Sequence, residues 1–452
     1  MSARDPRGAP RTPGDEKLAL RRRLVLVSMA AAAALIVGRA VQLQGFEGER
    51  WRRVAAEQHQ ERETLPARRG GVFDRDGVPL AQTQETFALA VAPGELRDRK
   101  AAQDALVRVL RLSRAEARRV TSPRRKWVVV RGRWGAEQYR ALRETRGFHF
   151  ERRLERYYPQ GRVAREVLGG VSGDGRALGG VEQALDELLR GEDGYSVLRR
   201  DRWGRKVASR SLPAVQPRDG ADVYLTLDLD LQEIADDALA EAIRNTGATG
   251  GDLLLTDPRT GEVLAAVARR AGGVRGLGAF IEPYEPGSTL KPFYVAGLLA
   301  GRRAALEDRV YAERGTWTTP GGRTIRDVHP YDTLTLRDAL RVSSNIAMAK
   351  LVERVPPGEQ YATLRDFGFG TPTGVEYPAE AAGRLTRPAQ WSRLTPASLA
   401  MGYEVSVTPV QMAMAYGALA NGGTLLEPRL VCTVCRPGGE AERRAPRAVR
   451  GA

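Results

Sequence analysis

Fifteen residues without a charge, Leu24 to Gly38, follow directly on Arg21-Arg22-Arg23 and constrain this chain more than any other feature. A run so apolar, beside so basic a flank, needs lipid to cover it. Fifteen residues are short for a bilayer span, which takes about 20. Reading on through Ala40-Val41-Gln42-Leu43 supplies that length if Arg39 extends its guanidinium to the far interface. A cleaved signal peptide has a similar apolar run, but no small-x-small cleavage site follows this one. An uncleaved transmembrane anchor over 24–43 is therefore expected. Residues 1–23 hold seven basic residues against three acidic ones, with Pro and Gly and no apolar periodicity. They read as a disordered tail, cytoplasmic because the positive flank stays inside. Everything after about residue 44 is then exported, giving a single-pass protein of the inner (plasma) membrane with an extracytoplasmic body.

That topology answers the question the charge raises. The chain has 71 Lys plus Arg and 55 Asp plus Glu, a formal balance of +16, which normally invites nucleic acid. An exported body does not meet nucleic acid, and the arginines form no stripe with interleaved aromatics. Only six of the basic residues are Lys, so the balance reads as compositional bias. A hydrophobic share of 42% over 452 residues allows two or three domains with buried cores. Two Cys exclude a disulfide scaffold, and His59, His149 and His329 lie too far apart in sequence for a poly-His metal centre. Cys432-Thr433-Val434-Cys435 lacks a second Cys pair, a nearby His and a βαβ setting, so no redox or metal role is assigned to it.

Along the exported part, Gln42 to Ala67 is polar and helix-compatible, a stalk continuing the anchor. Arg69-Gly70-Gly71-Val72-Phe73-Asp74-Arg75-Asp76-Gly77 combines alternation with an Asp-Gly turn and predicts the start of a β-hairpin. Helix is expected over 98–120, with Ala102, Leu106, Val109 and Leu110 on one face and Ser113 with Glu116 capping a second segment. Trp127 to Val130 reads as a strand. Residues 44–205 form a mixed pedestal with no catalytic cluster. Lys206 to Gly220, with Pro213 and Pro217, is the expected linker. In 221–452, Val223–Leu227 is a strand. Asp228 caps a helix whose face is Leu231, Ile234, Ala235 and Ala238. Gly251–Thr256 and Glu262–Val267 are strands around a Pro258-Arg259-Thr260-Gly261 turn. Mostly helical segments follow to about residue 420. The class is α+β.

The chemistry concentrates in Tyr284-Glu285-Pro286-Gly287-Ser288-Thr289-Leu290-Lys291-Pro292-Phe293. Pro286-Gly287 breaks the chain and Pro292 is tolerated in a first helical turn, so a helix starts close to Ser288. Ser288 and Lys291, three apart, then share a face. A serine hydroxyl needs a neighbouring base, and a lysine held partly neutral by burial can be that base. The helix N-terminus adds positive potential where an acyl oxyanion would form. Alone this could be a capping Ser and a surface Lys, although no other of the six lysines has Ser three residues before it. Ser343-Ser344-Asn345 follows after 55 residues. Ser343 and Asn345 point together only from a loop; there they offer a hydroxyl for proton relay and an amide for a substrate backbone. Ser-x-x-Lys followed by Ser-x-Asn is the penicilloyl-serine acyltransferase pattern.

With these motifs the chain resembles the class B penicillin-binding proteins, and within them the division-type (septal) peptidoglycan D,D-transpeptidases. The likeness runs from about Arg22 to Arg429. It includes Arg39-Ala40-Val41-Gln42-Leu43-Gln44, the Arg69-Gly70 to Asp74-Arg75 hairpin, Arg156-Tyr157-Tyr158-Pro159 and Gly179-Gly180-Val181-Glu182. Later come Asp257-Pro258, Asp327-Val328-His329, Phe367-Gly368-Phe369-Gly370, Gly402-Tyr403-Glu404-Val405-Ser406-Val407-Thr408-Pro409 and Ala420-Asn421-Gly422-Gly423. The last two look more like the division type than the elongation type. Arg165 stands where the family's pedestal motif would have His.

The resemblance implies an anchor, a dimerisation-type pedestal and a penicillin-binding transpeptidase domain of helices around an antiparallel sheet. It implies that Ser288 attacks the carbonyl between the terminal D-Ala residues of a peptidoglycan stem peptide. Lys291 takes the serine proton, Ser343 relays a proton toward the leaving group, and Asn345 binds the donor backbone. A neighbouring stem's amine then makes the cross-link. β-Lactams would acylate the same serine, no cofactor or metal is implied, and a polytopic glycosyltransferase and other divisome proteins are the expected partners. The family's third motif, Lys-Thr-Gly on a strand beside the nucleophile, does not occur in these 452 residues. On the resemblance the chain stops before that motif, as a truncated product or a degenerate relative, without the domain's C-terminal strands. It would then acylate poorly and leave helix faces partly uncovered, the one behind Ser288 included. Three alternatives follow: a non-catalytic or impaired division scaffold, an elongation-type transpeptidase, and a hydrolase such as a D,D-carboxypeptidase, against which the long pedestal argues.

Overall fold

The computed structural model describes residues 13–47, 49, 60–200, 206–208, 213–272 and 276–451. They fall into two units, Met1–Leu65 with Asp193–Pro217, and Pro66–Glu192 with Arg218–Ala452.

In the first unit one helix runs Pro13–Val41 and continues as a π-helical turn over Gln42–Phe46. Its Arg21–Phe46 stretch is long and apolar enough to cross a membrane, with Leu24, Leu35 and Ile36 exposed. The helix corrects the expected disorder of residues 13–23. Beyond Gly14 no breaker remains, Pro13 suits a first helical position, and Asp15 and Glu16 suit a helix N-terminus. Residues 1–12 lie outside the described residues. The stalk reading is corrected too. Gln60–Leu65 is a strand, antiparallel to Gly194–Arg200 from Gln60↔Arg199 to Leu65↔Gly194. Much of the stalk, 50–59, lies outside the described residues. The expected linker over 206–220 carries two short strands, Lys206–Ala208 and Ala214–Val215, which also pair with Gly194–Arg200. These segments have no apolar stripe, and backbone pairing orders them, across a long sequence separation for Gln60–Leu65 and locally for the two short strands.

The second unit is built on a seven-stranded sheet. Val72–Phe73 turns back onto Pro79–Val91, as the Asp-Gly signal predicts. Gly77 takes φ +88°, and the Asp74 carboxylate accepts the amides of Asp76 (3.0 Å) and Val78 (2.7 Å). Pro79–Val91 pairs with Phe148–Tyr157 and with the edge strand Val128–Val129. On the other side Val72–Phe73 lies parallel to Asp222–Leu225, which is antiparallel to Val431–Cys435. The late residues of the chain thus return to the sheet that its early residues begin. Helices Arg99–Leu110 and Arg114–Val120 bury Ala102, Leu106 and Val120 with Leu89 and Val91. Ser113 caps the second of them through the Glu116 amide (3.1 Å).

Cys432 and Cys435 are free thiols on the strand Val431–Cys435, and Cys432 Sγ donates to the Tyr224 carbonyl (3.3 Å). Among the described residues no cluster of three His, Cys, Asp or Glu can hold a metal.

Gly250–Thr256 and Val263–Arg270 form a separate antiparallel pair covered by the helix Leu229–Thr246. Asp228 caps that helix on the Leu231 amide (3.0 Å). Its buried face is Gln232, Ala235 and Leu239, whereas Ile234 is exposed, which corrects the predicted face by one position. Gln232 turns inward because its carboxamide bonds both the Ala266 amide (2.9 Å) and carbonyl (2.8 Å). Helices follow to Ala420 around one apolar core. The helix behind Ser288 is covered, contrary to expectation. Phe293 is buried, its ring 4.8–5.1 Å from those of Phe367, Phe369 and Tyr416. These aromatics come from the turn after the helix Pro357–Asp366 and from the helix Pro409–Ala420.

Candidate active site

Gly287–Leu290 is a 3-10 turn that leads into the helix Lys291–Ala300, with Pro292 in its first turn. The Lys291 amide donates to the Ser288 carbonyl and closes the turn, so the two residues lie one 3-10 turn apart rather than on the predicted α-helix. Three bonds fix the turn, two of them from distant residues. The Gly287 amide donates to the Gly402 carbonyl (3.0 Å), Thr289 Oγ1 to the Pro286 carbonyl (2.6 Å), and Tyr416 OH to the Thr289 carbonyl (2.8 Å). Gly402 takes φ +81°, and a Cβ there would lie 1.9 Å from the Gly287 oxygen, so no other residue fits. Ser288 ends up exposed while Lys291 is 1% exposed.

Ser343-Ser344-Asn345 lies on a turn, as two residues pointing together require. Ser343 takes φ +56°, Ser344 is the N-cap, and Asn345 opens the helix Asn345–Val352. The reversal aims three oxygens at one cation. Lys291 Nζ donates to the Ser343 carbonyl (2.7 Å), to Ser343 Oγ (3.0 Å) and to Asn345 Oδ1 (2.8 Å). Asn345 Nδ2 donates to the Arg326 carbonyl (3.0 Å), which fixes the amide with its oxygen toward Lys291. Burial pushes the Lys291 amine down from its ordinary 10.5 to about 8, against the opposing pull of the Asp327 carboxylate. At neutral pH about one molecule in ten then carries a neutral amine, against a few in ten thousand for an exposed lysine. In that form a hydroxyl can donate to Nζ, so Ser343 Oγ can serve on either side of a proton transfer.

The four residues singled out from the sequence thus lie on two turns that meet at Lys291. Asp327 belongs to the same assembly and was quoted above only within Asp327-Val328-His329. Its carboxylate accepts Ser344 Oγ (2.6 Å) and the amides of Asn345 (2.6 Å) and Ile346 (3.0 Å). The signal available in sequence was an Asp upstream of a Ser-rich N-cap, too common to carry a role. A cleft of about 290 Å³ opens on the Glu285 side of the Gly287–Leu290 turn, lined by Arg384, Trp391, Thr395, Glu404 and Ser406. In the pedestal Arg165 places its guanidinium 3.7 Å over the Tyr158 ring, where the family pattern would have His.

Comparison with known proteins gives the family. Residues 64–225 match the penicillin-binding protein dimerisation domain, and residues 251–448 the penicillin binding protein transpeptidase domain. Together the two domains define a class B penicillin-binding protein. The probable peptidoglycan D,D-transpeptidase PenA of Neisseria meningitidis is 31% identical over 428 residues, covering 89% of this chain and 71% of that protein. The peptidoglycan D,D-transpeptidase FtsI of Escherichia coli is 28% identical over 380 residues, 78% of this chain and 63% of that protein. A crystal structure of penicillin binding protein 3 from Mycobacterium tuberculosis, complexed with aztreonam, superposes with a TM-score of 0.64 at 27% identity. It covers 86% of this chain and 72% of that one. The chain belongs to the class B penicillin-binding proteins, a family of serine-type peptidoglycan D,D-transpeptidases.

Proposed function

We propose that the protein cross-links peptidoglycan stem peptides through an acyl-enzyme on Ser288 during septal wall synthesis. The observation that carries this reading is Lys291, buried beside an exposed serine and held by Ser343 and Asn345. Ser288 Oγ attacks the carbonyl between the terminal D-Ala residues, and its proton passes to neutral Lys291. The D-Ala amine leaves with a proton relayed through Ser343 Oγ, and the ester on Ser288 remains. The second N–H of the Asn345 amide holds the donor backbone. An amine of a neighbouring stem then attacks the ester, restoring the serine and making the cross-link. A β-lactam acylates the same hydroxyl, in keeping with the aztreonam bound by the M. tuberculosis relative.

The septal role follows the likeness to FtsI, and with it a polytopic glycosyltransferase and other divisome proteins as partners. The helix over 24–43 anchors the chain once. The basic flank Arg21-Arg22-Arg23 puts the N-terminus in the cytoplasm and the catalytic domain outside. The pedestal occupies about 44–205 and the transpeptidase domain begins near 221.

Labelling with a fluorescent penicillin tests the site, on the chain alone and on the chain extended by a relative's C-terminal segment carrying Lys-Thr-Gly. The label is expected on Ser288 and lost in Ser288→Ala. Lys291→Ala should slow labelling about 10²-fold or more at temperatures where thermal melting shows the domain folded. Label that survives Ser288→Ala refutes the assignment.

A further inference from the structure

We propose that Asp327 is a positioning residue of this site, one carboxylate that locks the Ser343–Asn345 turn against Lys291 and faces its ammonium with a negative charge. The inference rests on the acyl-transfer reading above and adds a residue to it.

The turn needs a lock. Ser343 is a non-glycine residue at φ +56°, a conformation that persists only where surrounding bonds over-determine it. The preceding helix supplies two, from the Ser343 amide to the Leu340 carbonyl (3.1 Å) and from the Ser344 amide to the Ala339 carbonyl (2.9 Å), and Asp327 supplies the rest. Oδ2 accepts Ser344 Oγ at 2.6 Å, and Oδ1 accepts the Asn345 and Ile346 amides at 2.6 and 3.0 Å. The two amides open the helix Asn345–Val352 and have no acceptor within it, and a carboxylate is the strongest partner for such groups. The flanking residue works with it, since the Arg326 carbonyl accepts Asn345 Nδ2 (3.0 Å) and turns the amide oxygen toward Lys291. Residues 326 and 327 together hold Ser344, Asn345 and Ile346, and so fix the Asn345 oxygen and the backbone directly after Ser343.

The charge matters separately. Lys291 bonds three neutral oxygens, from Ser343 and Asn345. Of the charged groups on the neighbouring elements, Lys350 on the helix Asn345–Val352 is paired with Glu313 (2.6 Å), and Glu285, ahead of the Gly287–Leu290 turn, accepts the Glu404 amide (3.3 Å). Phe293, Phe367, Phe369 and Tyr416, packed behind the turn, bring no charge. Asp327 is the charged group that acts on the amine, and it holds the titration near 8 against burial, which would drive it lower. Too low a value would make Lys291 a weak acceptor for the serine proton, and too high a value would leave it charged.

Lysine ¹³Cε NMR of the full chain in detergent reads this directly, because six lysines give a sparse spectrum and Lys291→Arg assigns the signal. In Asp327→Asn the Lys291 midpoint should fall by about one unit. Hydrogen exchange at the Asn345 and Ile346 amides should accelerate about tenfold or more while the core of the same domain stays protected. Asp327→Glu, which keeps the charge, should restore the midpoint but not the full amide protection. An unmoved or raised midpoint in Asp327→Asn, or unchanged exchange at the two amides, overturns the proposal. If Asp327→Asn does not fold, a lowered midpoint in Asp327→Glu equally overturns it. None of these readouts needs acylation, so a chain whose Ser288 never labels would refute the catalytic reading and leave the role of Asp327 standing.

Discussion

Glu182 of the pedestal is expected to be among the most costly residues in the protein to remove. Its side chain is fully buried and takes Arg69 Nε on Oε2 (2.6 Å) and Arg156 Nε on Oε1 (2.6 Å). Those arginine side chains are only 9% and 4% exposed. Arg69 keeps a second partner in Asp186 (2.6 Å), but Arg156 has only neutral acceptors left, chiefly the Gly70 carbonyl (2.6 Å). Glu182→Ala therefore strands at least one buried guanidinium, and breaking such a pair costs about 3–5 kcal/mol. With a urea slope of about 3 kcal/mol/M for a unit of this size, the midpoint should fall by more than about 1 M. Pulse proteolysis of the full chain across a urea series reads this, following the fragment that contains Phe148–Tyr157. Replacing Arg69, Arg156 and Glu182 together by Met, Met and Leu should cost far less, because no charge is left without a partner. A shift under about 0.3 M for Glu182→Ala would mean that the arginines reach water and that the argument from burial is wrong.

Three further outcomes concern the site. Penicillin labelling of Ser288 should rise about tenfold per pH unit up to about 8 and then level, because the reactive form of Lys291 is the neutral amine; a flat profile over that range counts against Lys291 as the base. The same depressed value makes the unfolded chain bind more protons than the folded one between about 8 and 10.5, so Lys291 adds stability as pH rises through that window. The increment should vanish in Lys291→Met. Gly402→Ala puts a methyl 1.9 Å from the Gly287 oxygen at φ +81°, and should cost about 2 kcal/mol or more. Labelling should slow even at temperatures where thermal melting shows the domain folded; labelling at the unaltered rate would mean that the contact does not hold the nucleophile turn.

Sequence alone carried what local chemistry specifies. The apolar run after three arginines, the Asp-Gly turn at Asp76-Gly77, the caps Asp228 and Ser113, and the break at Pro286-Gly287 are each settled within a few residues. Pattern recognition then paired Ser288 and Lys291 with Ser343 and Asn345 before any geometry was known. Where the outcome depended on a distant partner, local reading failed. Gln60–Leu65 looked like helix and became a strand because Gly194–Arg200 lies beside it. Ile234 looked buried and is exposed because the Ala266 backbone draws Gln232 inward. Asp327 held no visible role until the fold set it against the amides of Asn345 and Ile346. The sequence determined which residues stand at the Ser-x-x-Lys and Ser-x-Asn spacings. Only the tertiary structure decided that a lysine would lie buried under three oxygens with its amine near neutrality, because desolvation is a property of everything packed around a group and of nothing in its own neighbourhood along the chain.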